Sequence, residues 1–163
     1  MRAAKSSFFI DILRVGTLAG AIGGLAEIGW IAFYGAATGV PTEPIARGVV
    51  ASLAPALATL PGSTSLGIAI HMAIAIALGL GLALAIRLLW RRDGERGSEF
   101  PLIVLTLAAI WAVNFLVVLP NINPGFVHLL PYHVTLFSKL LFGLAAAAVF
   151  RAERIRRMRI SHA

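Results

Sequence analysis

Four stretches of this chain, 12–36, 66–90, 101–120 and 133–150, are apolar over nearly their whole length. A helix rises 1.5 Å per residue and the hydrocarbon core of a bilayer is about 30 Å thick, so about 20 apolar residues in a row make one crossing. Composition agrees: 59% of the residues are hydrophobic and 13% charged, whereas a soluble domain carries roughly a quarter charged residues. With 163 residues in total, four or five crossings leave no room for a soluble domain. The sequence therefore predicts an all-α integral membrane bundle, a single domain over 1–163. It has four transmembrane helices and one short re-entrant or interfacial helix on the outer side. There is no cysteine, which excludes a disulfide scaffold, a thiol-redox centre, a thiolate zinc site and an iron–sulfur cluster.

The first span opens on the basic Met1-Arg2-Ala3-Ala4-Lys5 segment and reads at first like a secretory leader. Asp11 and Arg14 interrupt its apolar region, and apolar sequence then runs too long for one, so an uncleaved first helix is expected. Ser98 and Glu99 ahead of Pro101 suit the start of the third span, where proline fits the first turn and an acidic side chain meets the positive helix end. Segment 45–60 is different. It is apolar but short, holds Arg47, Gly48 and Pro55, and is flanked by Pro41, Pro44 and Pro61. That length and proline content predict a helix that does not cross.

Charge placement leads to the same topology. Basic residues cluster at Arg2, Lys5 and Arg14, at Arg87, Arg91, Arg92 and Arg96, and at Arg151, Arg154, Arg156, Arg157 and Arg159. The excess of Lys and Arg on cytoplasmic loops puts all three clusters inside. Segment 45–60 then begins and ends on the outer side. The expected location is the bacterial inner membrane with both termini cytoplasmic. The basic tail 151–163 is expected to continue the last helix, to set orientation and to meet anionic lipid headgroups rather than nucleic acid. Seven of the eight prolines fall in the two outer connections or, as Pro120, at the edge of the second, and that connection, 121–132, has no charged residue.

Polar side chains inside a span cost several kcal/mol unless they face protein or water. The four spans hold Glu27, His71, Asn114 and Lys139. Gly16, Gly20 and Gly24 repeat every four residues and Glu27 follows on nearly the same side. Gly67, His71, Ala75 and Gly79 form a second row, and Thr135, Lys139, Gly143 and Ala147 a third. Small residues at this spacing mark helix contact faces, so Glu27, His71 and Lys139 should point into the bundle. Asn114 has no such row. At 1.5 Å per residue, His71, Asn114 and Lys139 lie about 7–9 Å below the outer surface and Glu27 about 13 Å. The shared depth predicts one buried polar cluster of Glu27, His71, Asn114 and Lys139, with Glu27 and Lys139 as the opposite charges. Its plain alternative is a knot that sets helix register.

His71, His128, His133 and Glu27 are candidate metal ligands of the imidazole and carboxylate type; haem on His71 and a loop histidine is a further option. No cofactor is the simplest expectation. Trp30, Tyr34, Trp90 and Tyr132 occupy interface-belt positions, and Trp111 lies deeper. There is no phosphate loop, no His-Glu-x-x-His pair and no nucleophile elbow. Ser138 and Lys139 are adjacent and project differently from a helix, so they do not form a dyad. These absences point away from an enzyme. Three functions remain open. The first is a non-enzymatic accessory or assembly subunit, with other membrane proteins or a second copy as partner. The second is a small permease or binding protein for a proton, metal ion or small solute, using the polar cluster. The third is a redox subunit holding haem, metal or quinone.

Overall fold

The computed structural model of the chain describes residues 2–89 and 99–161. The architecture is helical, with no strand among the described residues. Among the described residues four helices are long and apolar enough to cross a bilayer: Phe9–Thr38, Ser63–Leu88, Phe100–Ile122 and Tyr132–Arg156. At most 33% of any of their most apolar windows is buried within the protein. The remaining apolar surface far exceeds the patches that soluble monomers expose.

Helix α1 (Arg2–Thr38) stops at Gly39, whose φ of +75° is open to glycine at little cost. The Gly39 N–H returns to the Gly35 carbonyl at 2.9 Å, closing the helix end. Helix α2 (Glu43–Leu53) has Pro44 in its first turn and ends at Ala54 ahead of Pro55. Eleven residues reach about 16 Å, too short for a crossing. A 3-10 turn, Pro55–Leu57, and Gly62 at φ +83° lead into α3 (Ser63–Leu89). Helix α4 (Glu99–Val113) passes through a π-helical turn, Asn114–Val118, into α5 (Leu119–Ile122). A 3-10 turn, Phe126–His128, precedes α6 (Tyr132–Ser161).

The third apolar helix departs from expectation. The sequence reading stops it at Pro120, but helical structure continues to Ile122. Proline has no N–H for the carbonyl four residues back, and its ring crowds that carbonyl. The turn before it widens so that the Leu119 N–H reaches the Asn114 carbonyl, five residues back. The widened turn absorbs the proline without ending the helix.

Helices α1 and α3 pack backbone to backbone. A methyl group built on Gly79 would stand 2.3 Å from the Gly16 carbonyl oxygen and 2.6 Å from Gly20 Cα. Gly23, on another side of α1, is covered by the Phe142 ring of α6, and Phe142 is fully buried. Gly143 of α6 meets Leu107 of α4. The core therefore runs through Ala19, Ala75, Leu107, Phe142 and Ala146, with α1, α3 and α6 at its centre and α4 packed on α6.

The two ends of the bundle differ. At one, Asp11 of α1 meets Arg87 of α3 at 3.3 Å, and Arg14 of α1 meets Glu153 of α6 at 3.8 Å. The clusters around Arg14, Arg87 and Arg156 thus share an end. Trp90, Arg91, Arg92, Arg96 and Ser98 lie outside the described residues. At the opposite end, α2 rests on α3, with the Ala46 backbone against Gly67. Asn123 donates its side-chain N–H groups to the Gly48 carbonyl (3.2 Å) and to Ser52 Oγ (3.0 Å). The Phe126 ring lies over Gly48, where a Cβ would leave it no space. Segment 45–60 and the 121–132 connection are therefore tied into one cap.

A candidate ligand site at Glu27, His71 and Lys139

Three of the four polar residues singled out in the spans meet beneath this cap. Glu27 comes from α1 and His71 from α3, on the faces where glycine and alanine bring those two helices together, and Lys139 comes from α6, whose Phe142 covers Gly23 of α1. Glu27 Oε1 accepts from Lys139 Nζ at 2.7 Å, and its side chain is 6% exposed. Glu27 Oε2 lies 3.5 Å from His71 Nε2, too long for a sound hydrogen bond. His71 Nε2 is buried and has no hydrogen-bond partner among the described residues. Such an atom costs about 1–3 kcal/mol and calls for an explanation, a bound group among them. Lys139 Nζ also stands 5.3 Å above the centre of the Phe142 ring, a cation–π geometry that helps hold the ammonium.

A cavity of about 310 Å³ leads to this cluster. Of its lining residues Thr42 and Glu43 are exposed and form its rim, Thr64 and His71 are half-buried, and Glu27 and Ser138 are buried. Ile31, Ile45 and Ile68 contribute apolar wall. Glu43 Oε1 accepts from Thr64 Oγ1 at 3.4 Å and from the Arg47 guanidinium, fastening the start of α2 to the start of α3. An apolar cavity of this size with a few convergent polar groups is the usual form of a small-molecule site. A second cavity, about 250 Å³, lies at the basic end among Asp11, Arg87, Glu153 and Arg154. Its acidic and basic side chains balance each other.

Asn114 does not join the cluster. It is exposed on the π-helical turn of the helix that packs on α6. Equal depth located it along its helix but said nothing about the direction it faces. The metal candidates also separate: Glu27 and His71 come together, while His128 sits in its 3-10 turn and His133 at the start of α6, both exposed. Among the described residues no three acidic or histidine side chains converge as a metal centre would need. Trp30, assigned to the interface belt, donates its indole N–H to the Val134 carbonyl at 3.1 Å and packs on Phe137 at 4.6 Å between centroids. Trp111 donates to Thr135 Oγ1 at 3.0 Å. Both tryptophans thus fix the first turn of α6, one turn ahead of Lys139.

Glu43, Thr64 and Ser138 are site residues that sequence reasoning missed. An acidic residue opening a short helix reads as a partner of the helix dipole, and nothing local says that its neighbour is the start of α3. No protein-family model, no curated protein and no solved structure matches the chain.

Proposed function

We propose that this chain is a multipass protein of the bacterial inner membrane, with both termini in the cytoplasm. In this reading it is a non-enzymatic binding protein or small permease that takes up a small solute from the outer side in the cavity ending at Glu27 and His71. The observation that carries the reading is the cavity itself, which joins an exposed rim at Thr42 and Glu43 to a buried carboxylate and an unpartnered imidazole nitrogen. Placing the basic end inside follows the Lys and Arg bias of cytoplasmic loops, and it turns the capped, cavity-bearing end outward.

The accessory-subunit reading draws on glycine faces offered to partner helices. Gly16, Gly20, Gly23, Gly67 and Gly79 are instead taken up in contacts within this chain, which favours a ligand site over an assembly face. The redox reading needs histidines gathered around a cofactor, and His128 and His133 stand exposed in separate turns. Native mass spectrometry of the protein released from lipid discs tests the proposal. A bound small molecule that disappears in an Ala32→Trp variant, which fills the cavity from its edge, supports it. Release of partner subunits alone, unchanged by that substitution, returns the accessory reading.

A further inference from the structure

Resting on that reading, we infer that the ligand is a small lipophilic cation, an ammonium group carried on an apolar body, with Glu27 as its counter-ion. The argument starts from how the two ion pairs beside the cavity are oriented. Glu27 and Glu43 line it, and their partners Lys139 and Arg47 do not. Each pair is thus a dipole with its carboxylate end toward the cavity. At the buried Glu27–Lys139 pair the nearer charge dominates, because the interaction weakens with distance and little water screens it, whereas the exposed Glu43–Arg47 pair adds less. The cavity is therefore electronegative although each pair is neutral.

Acceptors predominate in the deeper part. Glu27 spends one oxygen on Lys139 and leaves Oε2 without a close donor, at 3.5 Å from His71 Nε2. An ammonium placed there gains a charge-assisted bond to Oε2. A neutral imidazole accepts through Nε2 when its proton sits on the other nitrogen, which would relieve the orphaned atom. Ser138 and Thr64 hydroxyls add acceptor lone pairs along the way. The walls are isoleucine, valine and alanine, such as Ile31, Val49 and Ala46, which suits a hydrocarbon body. An anion would meet two carboxylates here and no lining Lys or Arg.

The test uses the full chain in discs of phosphatidylcholine, with empty discs subtracted, and titrates three probes of one shape by calorimetry. These are 4-phenylbutylamine (cationic at neutral pH), 4-phenylbutan-1-ol and 4-phenylbutyrate. Saturable binding of the amine, about tenfold or more tighter than the alcohol, with no measurable binding of the carboxylate, is expected. Glu43→Gln, at an exposed rim position, should narrow the amine's advantage. The paired change Glu27→Gln with Lys139→Met, which leaves no lone buried charge, should abolish that advantage while alcohol binding persists. Equal affinities for amine and alcohol, or tightest binding of the carboxylate, overturn the cation assignment and leave the cavity reading standing. Absence of saturable binding for all three, or binding that Ala32→Trp leaves untouched, refutes the cavity reading and the assignment with it.

Discussion

The Glu27–Lys139 pair can be broken from either side or removed whole, and the three results should differ in a defined order. Its atoms are 2.7 Å apart, with the carboxylate side chain 6% and the lysine 18% exposed. Removing one partner of a buried pair costs about 3–5 kcal/mol, because the other charge stays desolvated and unanswered. Glu27→Gln leaves Lys139, whose longer chain and greater exposure give it some access to solvent and whose ammonium retains the Phe142 ring. A loss near the lower bound, about 3 kcal/mol, is expected. Lys139→Met leaves Glu27, more deeply buried and with His71 Nε2 no closer than 3.5 Å to its free oxygen. Its loss should be about 4 kcal/mol. The double variant strands neither charge, and replacing a buried pair by neutral groups of similar size is often close to neutral, so it should lie within about 1–2 kcal/mol of the parent. The coupling is then about 5 kcal/mol, read from a double-mutant cycle. Reversible unfolding of the micelle-bound protein in increasing dodecyl sulfate, followed by circular dichroism, supplies the four free energies. Additive losses, with the double variant the least stable, would refute the claim that the two side chains stabilise each other.

Three further perturbations probe the frame around the site. Gly79→Ala forces a methyl group to within 2.3 Å of backbone oxygen, whereas Gly81, two residues along the same helix, has nothing within 4 Å. Both gain similar helix propensity, so the Gly79 variant should be about 1–3 kcal/mol less stable than Gly81→Ala in the same unfolding assay. Asn123→Ala removes two bonds to α2 and should cost about 1–2 kcal/mol. It should speed amide exchange in Glu43–Leu53 while leaving α1 unchanged. The absence of native cysteine makes sidedness simple to read. His128→Cys should react with an impermeant maleimide on intact cells, and Ala152→Cys only after the membrane is opened; the reverse pattern would invert the proposed orientation.

Much of this fold can be read from local pattern. Span length follows from unbroken apolar runs, and the α1–α3 contact is already present in the spacing of Gly16, Gly20, Ala75 and Gly79. The shortness of α2 follows from the prolines at its flanks. What escapes local reading is azimuth and any effect of one segment on another. Pro120 carries a helix-ending signal, yet a single widened turn satisfies its neighbours and the helix continues. Asn114 belongs to that same turn. The widening rotates residues relative to a regular 3.6-residue repeat, so a facing direction worked out on regular geometry does not carry across that turn. Trp30 looks like an interface anchor and Trp111 like a residue placed deeper, because their position along the helix is all that sequence supplies. Their N–H groups find Val134 and Thr135, partners more than 20 residues away.

The candidate site is divided in the same way. Glu27 and His71 share the faces of the small-residue rows along which α1 and α3 pack, whereas the row of Lys139 turns Gly143 toward α4 and α6 reaches α1 through Phe142 on Gly23. The cavity depends on something else, the seating of α2 on α3. A Cβ at Gly67 would meet the Ala46 carbonyl oxygen at 1.9 Å, so that approach needs glycine there. A glycine four residues before His71 reads equally well as part of a row facing α1. The row is in fact split: Gly79 serves α1, while Gly67 receives α2 and sets the wall between the rim at Glu43 and the carboxylate of Glu27. If that wall defines the ligand space, Gly67→Ala should abolish saturable amine binding and leave the 2.7 Å ion pair formed. A variant that loses its stability but binds the amine as before would separate the cavity from the helix contact that builds it.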